Sequence, residues 1–340
     1  MGNQISFSEI EFQNKRKQTK KEIFFAKMEK LVPLGEWCEI IRPYYYEYGN
    51  GRQPIQLEIM LKMYLVSQWY NLSDPETEDI LNENLAARSY VGITGSAPDE
   101  TTLCKFRHML EANKLNEKIF AEFNKQLEKE EIIIKKGTIV DATIIDAPNS
   151  RKNADKKPTP EMGSTYKRNQ YYYGMKAHIG VDKDSGIVHS LTTTAANVRD
   201  IEAANSVLHG KEEEIYGDAG FIGIEKRVEI CEKYQTGNGE IEWLRHSRKR
   251  PPYLVCKKKE NIKFLINQNR SKVITPEQKE EERKKSVIRA KVEHAFCIIK
   301  HYFKFRKTRY RTLAKNKNKL LMLFTLANVL LCARRKVSAS

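Results

Sequence analysis

The sequence predicts an α/β (α+β) protein, in which a helical N-terminal region is followed by a mixed sheet flanked by helices. Three observations support this class: helical periodicity before residue 130, short β-rich runs that begin at Gly137, and a long basic helix followed by an apolar one. The order of one strand, a hairpin, a helix, another strand and then helices describes a mixed sheet that helices cover. A chain of 340 residues is long enough for two domains.

The N-terminal region is predicted to be helical because its apolar residues recur at helical spacing. In QPIQLEIMLKMYLVSQWYNLSD they form one broad stripe, and APDETTLCKFRHMLEANKLNEKIFAEFNKQLEK predicts one or two further helices. We expect Arg52, Lys62, Lys105 and Arg107 to be exposed on these helices. That surface suits a helix-turn-helix DNA reader, and a plain helical bundle equally well.

The pattern changes to strands at Gly137. GTIVDATIID is short and rich in β-branched residues, and the polar segment 147–170 after it predicts a long surface loop. YYYGMKAHIGVD and GIVHSLTTTAAN flank a turn and predict a hairpin. A helix over about 199–208 then leads to EEEIYGDAGF, a brief strand that ends at Asp218. Residues 225–285 are mixed and charged and indicate no clear element.

Two helices close the chain. From Arg283 to Lys319 there are fourteen Lys and Arg residues, and Glu293 is the only acid. Helical spacing places Ile288, Val292, Ala295, Ile299 and Phe303 on one buried stripe, with Glu293 on the flank of the helix. The apolar run LLMLFTLANVLL is too short to span a bilayer and contains polar residues, so we expect a buried core helix.

Composition points to a polyanionic partner. The chain holds 60 Lys and Arg against 44 Asp and Glu, a net charge of +16, and the excess is clustered. Such a chain most often binds nucleic acid, although charge also serves solubility. The six cysteines form no CxxC pair, so a zinc knuckle or redox motif is not expected, and scattered thiols fit a reducing cytosol. The first ten residues contain no apolar signal region.

Three acids are candidates for chemistry. Asp141 lies inside an apolar strand, Asp218 ends a second strand, and Glu293 lies on the basic helix. Each has a simpler explanation: a satisfied core acid, a turn residue and an i,i+4 partner of Arg289, respectively. Their joint occurrence in a basic chain favours a shared site, because a buried carboxylate needs a hydrogen bond or a cation. Carboxylates suit Mg²⁺ or Mn²⁺, and two such ions support phosphoryl displacement.

The chain resembles bacterial insertion-sequence transposases of the DDE class, in the group called insertion-sequence five. The resemblance rests on GTIVDATIIDAP, YGMKAHIGVD, TTAAN, GDAG and SVIRAKVEHAFCIIK, taken in this order, together with the N-terminal helical segments. It implies a helix-turn-helix-like DNA-binding region over 1–130. It also implies a ribonuclease-H-like DDE catalytic domain over 131–335, with a short insertion around 225–285.

By this resemblance, Asp141, Asp218 and Glu293 are the catalytic and metal-binding acids and hold two Mg²⁺ ions, with Mn²⁺ as a substitute. Arg289 and Lys300 match the Arg and Lys of the family's Tyr-Arg-Glu-Lys signature and would contact DNA phosphate near the cut. Ser286 occupies the signature's Tyr position, so this chain departs from the family there. The neighbouring basic residues Lys291, Lys304 and Arg306 are further candidates for DNA binding.

The implied activity is cleavage at the ends of a mobile element, followed by joining of the 3′-hydroxyls to target DNA. Double-stranded DNA is the implied partner, as terminal inverted repeats and target, with a homo-oligomer acting in the bacterial cytoplasm at the nucleoid and no membrane involved. Three alternatives remain at this point. They are a metal-dependent nuclease of the same fold without strand transfer, a non-catalytic DNA-binding protein, and a structural RNA-binding protein.

Overall fold

The structure, a computed structural model, describes residues 17–46, 53–148, 161–167, 169–234, 241–244, 253–256, 262–269 and 275–339. The chain divides into two compact units. The first comprises Met1–Phe123, His301–Lys304 and Asn318–Ser340, and the second comprises Asn124–Lys300 and Phe305–Lys317. Asn318–Ser340 groups with the first unit. The division at residue 130 into a DNA-binding region and a catalytic domain stays a prediction.

The first unit is helical. Its helices are α1 (Lys20–Leu31), α2 (Leu34–Ile41), α3 (Leu57–Tyr70), α4 (Asp74–Glu83), α5 (Leu85–Val91), α6 (Glu100–Ala112), the first part of α7 (Leu115–Lys129) and most of α11 (Leu313–Ala339). Capping boxes start α1 at Thr19 and α4 at Ser73. In each, the hydroxyl accepts a hydrogen bond from the backbone N–H of a Glu three residues later, and the side chain of that Glu accepts from the backbone N–H of the capping residue. Helix α3 is buried nearly all round, which makes it the centre of this unit.

Two basic residues predicted to be exposed are buried instead. Lys62 is 9% exposed and pairs with Glu29 at 2.9 Å and Glu58 at 3.1 Å. Arg107, also 9% exposed, pairs with Asp74 at 2.8 Å and Glu111 at 3.1 Å. The prediction was wrong because each cation is neutralised in the bundle by one acid a helical turn away and by a second acid distant in sequence. Lys105 is exposed, and Arg52 lies outside the described residues.

The apolar C-terminal helix is confirmed as a core helix. Leu320, Phe324 and Leu326 of α11 are buried, and the polar Thr325 and Asn328 are buried with them. The Thr325 hydroxyl donates to the Leu321 carbonyl at 2.8 Å, which satisfies it within the helix. Across the described ranges, none of the helices combines the length and apolar character that crossing a membrane requires.

A mixed sheet forms the second unit. Its strands are β1 (Gly137–Asp146), β2 (Gly163–Lys167), β3 (Gln170–Asp182), β4 (Val188–Ala195), β5 (Glu214–Gly217) and β8 (Lys263–Ile266), while β6 (Ile241–Leu244) and β7 (Tyr253–Cys256) pair separately. Strand β3 pairs antiparallel with β1 on one side and with β2 and β4 on the other. Strands β1, β5 and β8 are parallel neighbours. This order confirms the predicted ribonuclease-H-like mixed sheet.

Helices pack on the sheet. Val207 of α8 (Asp200–Val207) and Ile230 of α9 (Val228–Tyr234) bury Val140 and Ile215 in one apolar cluster. Helix α10 (Pro276–Cys297) packs against β1 and β5 and continues into a π-helical turn at Ile298–Tyr302. Its buried stripe was predicted correctly, as follows from the burial of Val292, Ala295, Ile299 and Phe303.

Two segments of the sheet were misread in the sequence. The predicted loop 147–170 contains β2, and its residues 149–160 lie outside the described part. The predicted insertion around 225–285 contains β8, which belongs to the main sheet beside β5, and also the first part of α10. Both strands are short, four or five residues. Strand β2 (GSTYK) has no apolar run, and the three apolar residues of β8 (KFLI) are too few to set a strand apart from its charged surroundings.

Candidate active site

The parallel register of β1 and β5 sets Asp141 beside Asp218. Gly137, Thr138 and Ile139 pair with Glu214, Ile215 and Tyr216, and the same register continued by two residues brings Asp141 level with Asp218. Neighbouring strands lie about 4.8 Å apart, so two residues at one level are neighbours across the sheet. Each acid lies just beyond the carboxyl end of the segment that pairs β1 with β5. This is the edge at which parallel strands present functional groups.

Backbone amides hold one oxygen of each acid. Asp141 Oδ1 accepts from its neighbour Ala142 N–H at 2.7 Å, and Asp218 Oδ1 accepts from Gly220 N–H at 2.8 Å. Asp218 thereby caps the 3₁₀ turn Ala219–Phe221. A Cβ at position 220 would lie 2.9 Å from Asp218 Oδ1, so only glycine lets the amide come this close without displacing the carboxylate. In each acid Oδ2 takes no part in these bonds.

Burial and mutual repulsion raise the pKa of Asp141 to about 6. Desolvation is the largest cause, and the nearby Asp218 carboxylate adds to it. The Ala142 N–H and the charges of Arg289 and Lys167 act in the opposite direction. The Asp141 carboxylate is therefore poised to be stabilised by a cation, and its remaining oxygen is a hard donor of the kind that divalent ions prefer.

A cleft of about 570 Å³ opens next to Asp218. Asn267, Glu282, Ser286 and Arg289 line it together with Asp218 and further polar residues. Ser286 and Arg289 lie one helical turn apart on the face of α10 that lines the cleft, and Glu293 follows one turn later. The cleft thus brings the end of β5, the end of β8 and the signature helix to one place.

Asn267 ties this cleft together, although nothing in the sequence singled it out. Arg289 Nη1 donates to Asn267 Oδ1 at 3.0 Å, and Asn267 Nδ2 donates to Glu282 Oε2 at 2.7 Å and to Ser286 Oγ at 3.3 Å. Arg289 Nε is buried and has no hydrogen-bond partner among the residues that the structure describes. The network therefore positions the guanidinium and uses one of its five N–H donors, which leaves others for a ligand. The signal that could have found it is its position directly after β8, but the sequence pattern did not predict this strand.

Glu293 is not gathered with the other two acids. It is exposed, one helical turn beyond Arg289. In the described ranges, no set of three or more His, Cys, Asp or Glu side chains is arranged to hold a metal ion. Two of the three predicted metal ligands are thus neighbours, and the third faces solvent on the adjoining helix.

The predicted DNA-binding residues differ in their surroundings. Lys300 Nζ donates to the Ile144 carbonyl of β1 at 2.8 Å, and burial lowers the pKa of this lysine. Lys291 Nζ donates to the Lys183 carbonyl at 2.7 Å, in the turn after β3. Lys304 and Arg306 are exposed. Lys300 and Lys291 therefore have structural contacts that the sequence did not indicate.

Comparison with known protein families identifies the family of this chain. A model described as "Transposase DDE domain" matches residues 134–329, well over half of the chain. A second model, described as "Transposase domain (DUF772)", matches residues 12–109. The chain belongs to the DDE transposase family. This confirms the resemblance drawn from the motifs around Asp141, Asp218 and Glu293.

Among solved structures, a similarity is found to a cryo-EM structure of the piggyBac transposase synaptic complex with hairpin DNA. The identity is 12%, the match covers 94% of this chain and 75% of that chain, and the TM-score is 0.38. A score this low adds no argument about the fold or the site. The assignment rests on the two family models.

Family membership makes the protein a DNA transposase, an enzyme of the polynucleotidyl transferase and nuclease class. Its partner is DNA, and the DDE family implies dependence on a divalent metal ion. The donor set at the cleft fits such an ion, because Asp141 and Asp218 are adjacent carboxylates whose repulsion a cation would relieve. The alternatives of a non-catalytic DNA-binding protein and a structural RNA-binding protein are thereby set aside.

Proposed function

We propose that this transposase, a member of the insertion-sequence-five group, cuts DNA at the ends of its element and joins the 3′-hydroxyls to target DNA at the cleft beside Asp218. The observation that carries this proposal is the pair of adjacent carboxylates, Asp141 and Asp218, set by the strand register in a basic chain. We propose Asp141, Asp218 and Glu293 as the catalytic and metal-binding acids.

Asp141 and Asp218 would hold Mg²⁺ in the free protein, and Glu293 would join them in the complex with DNA. Two Mg²⁺ ions, or Mn²⁺ in their place, supply activation of the attacking oxygen and stabilisation of the leaving oxygen. Glu293 lies one turn from Arg289 on the helix that packs against β1 and β5, so a small rearrangement of α10 is the expected route.

Arg289 is the proposed phosphate contact of the cleft. Asn267 fixes Nη1 of its guanidinium, and Arg289 lines the cleft, where its remaining N–H donors can meet a phosphate oxygen. Lys291, Lys300, Lys304 and Arg306 are proposed to add to the positive field that holds the DNA backbone, with Lys304 and Arg306 the exposed members of this set. We further propose that a homo-oligomer assembles on DNA at the bacterial nucleoid.

Substitution of the acids tests the catalytic assignment. Asp141→Asn, Asp218→Asn and Glu293→Gln are each expected to abolish cleavage of labelled element ends in Mg²⁺ and to leave DNA affinity largely intact. Asp184→Asn and Glu281→Gln, exposed acids of the same unit, are the matched controls and should cut normally. Loss of DNA binding in all three acid variants, with cleavage falling in step, would refute the metal assignment.

Metal titration separates the roles of the acids without relying on activity. In the free protein, Asp141→Asn and Asp218→Asn should weaken Mg²⁺ binding strongly, whereas Glu293→Gln should leave it unchanged. In the complex with DNA, all three substitutions should weaken it. Equal effects of Glu293→Gln in both states would show that the third acid does not join upon DNA binding.

Product analysis separates transposition from simple cleavage. Incubation with labelled element ends and a target plasmid should yield joined products in Mg²⁺ and none in Ca²⁺, whose looser coordination supports binding better than catalysis. Cleaved ends without any joined product would favour a nuclease of the same fold.

A further inference from the structure

The hairpin formed by β2 and β3 exposes two aromatic rings. Tyr166 and Tyr171 are direct cross-strand partners, with ring centroids 4.7 Å apart and planes tilted by 53°. The side of the pair that does not face its partner is open, because Tyr166 is 56% and Tyr171 80% exposed. A cross-strand aromatic pair stabilises a hairpin only modestly, and that contribution does not require such exposure.

The base of this hairpin is fixed to the sheet. Gly174 of β3 pairs with Asp146 of β1 on one side and with Gly163 of β2 on the other. A Cβ at position 174 would overlap the Ile145 carbonyl oxygen, so glycine permits the strands to approach this closely. The Leu313 amide donates to Glu161 Oε2 at 2.6 Å and holds the start of the hairpin. The two tyrosines therefore extend from an anchored base.

The tyrosines lie on the side of the sheet that bears Asp141. Asp141 pairs with Ile179, and Tyr171 is an even number of residues from Ile179 along β3, so the two side chains point to the same face. In a straight strand, Lys167 would lie about 30 Å beyond the level of Asp141. Lys167 is nevertheless among the charges that act on both Asp141 and Lys300, so the hairpin tip lies within electrostatic range of the cleavage site.

DNA is the occupant that fits this surface. The lysine at the hairpin tip is exposed and complements a phosphate backbone, and the rings offer open π faces. Inside a duplex both faces of every base are covered by stacking, so only a base at a DNA end has a face to offer. Cleavage by the transposase creates such an end next to the cut phosphate.

We propose that Tyr166 and Tyr171 form a stacking platform for the terminal nucleobase of the DNA end held at Asp141 and Asp218. This proposal rests on the proposed cleavage site. The platform positions the end after cleavage and does no chemistry itself. Because stacking recognises a π face and not a hydrogen-bond pattern, it should tolerate any base.

Fluorescence of a base analogue tests the platform independently of cleavage. The probe is a blunt duplex with 2-aminopurine as its terminal base, bound in Ca²⁺ so that no cutting occurs. Binding of the unsubstituted protein should change the fluorescence of the terminal analogue. The Tyr166→Ala/Tyr171→Ala variant should lose that change and bind the end about tenfold more weakly, as expected for one lost stack. A duplex with the analogue at its centre should show no fluorescence change with either protein.

Variants separate stacking from other roles. Tyr166→Phe/Tyr171→Phe keeps both rings, removes the hydroxyl that bonds Asn169, and should behave as the unsubstituted protein. Tyr46→Ala removes a tyrosine that is 71% exposed in the helical unit and should have no effect. The double alanine variant should retain its thermal midpoint and its Mg²⁺ affinity.

Three results would overturn the proposal. One is an unchanged terminal signal in the double alanine variant, and another is the same loss of signal in the phenylalanine variant. The third is a changed oligomeric state with intact affinity for DNA ends, which would assign the rings to a contact between copies of the chain. None of these results bears on the Asp141 and Asp218 assignment, since metal binding and cleavage are measured separately.

Discussion

Replacement of Asp141 by Asn is predicted to stabilise the metal-free protein while it abolishes cleavage. The pKa of Asp141 is raised to about 6, chiefly by burial and then by Asp218. An unfolded aspartate has a pKa near 3.9, so the shift corresponds to about 3 kcal/mol against the folded state when the carboxylate is ionised. Asn keeps an oxygen that can accept the Ala142 N–H. Because Asp141 is only partly buried, we expect a gain of about 1–2 kcal/mol.

The sign of this effect depends on pH. A carboxyl group with a raised folded-state pKa contributes its full stability below the unfolded pKa near 4, and that contribution is lost as the pH rises through about 6. The advantage of the Asn variant should therefore be complete at pH 8 and absent at pH 4. Urea unfolding followed by circular dichroism in EDTA measures it, with the exposed Asp184→Asn as a control that should stay within about 0.5 kcal/mol.

Metal should reverse the comparison. Mg²⁺ stabilises only a protein that binds it, so added Mg²⁺ should raise the stability of the unsubstituted chain above that of Asp141→Asn. An Asp141→Asn variant that is no more stable than the unsubstituted protein at pH 8 in EDTA would show that the buried carboxylate charge does not destabilise the fold. A difference that persists at pH 4 would show that the gain has a cause other than the carboxylate charge.

Three further outcomes follow from the same structure. Burial lowers the pKa of His178 to about 4, so protonation of this histidine favours the unfolded state. Between pH 7 and pH 5 the His178→Gln variant should therefore lose less stability than the unsubstituted protein, by up to about 2 kcal/mol, as measured by urea titration at both pH values. Arg107→Ala leaves two acids without their cation and should lower the free energy of unfolding by about 3 kcal/mol. Arg42→Ala removes an exposed ion pair and should lower it by under about 1 kcal/mol. Equal losses in denaturant titrations would show that burial does not set the difference. The logarithm of DNA affinity should fall linearly with the logarithm of salt concentration, and Arg306→Ala should reduce the slope by about one unit in filter binding, while an unchanged slope would exclude its phosphate contact.

The sequence predicts the part of the site that depends on strands. Asp141 interrupts a β-rich run and Asp218 ends another, and the register of two parallel strands then makes them neighbours with little further information. Helix α10 was likewise predictable from the spacing of its apolar residues. These features arise from local periodicity, which a single sequence displays directly.

Contacts between residues distant in sequence could not be predicted. Lys62 pairs with Glu29 and Arg107 pairs with Asp74, and each partner lies 33 residues away in the sequence. Because the local pattern shows neither partner, Lys62 and Arg107 were expected on the surface. Asn267 follows a four-residue strand whose burial rises along its length and does not alternate, and its partners lie on α10. Lys300 has the composition of a DNA contact, but its ammonium reaches a β1 carbonyl 156 residues earlier. In each case tertiary packing supplies a partner that the local pattern does not contain.

The position of Glu293 follows from the way that its helix is held. Strand register fixes Asp141 and Asp218 through backbone hydrogen bonds, and such a pair is difficult to separate. Glu293 instead depends on the rotation of α10, and Arg289, one turn earlier, is held by Asn267 at the cleft. Its exposed carboxylate remains hydrated, which avoids adding a third charge to a pair that already raises the pKa of Asp141. A cation between the two fixed acids would remove that penalty. Glu293 is thus expected to approach the two aspartates only after metal and DNA have bound. The three acids would then come together only in the complex with DNA.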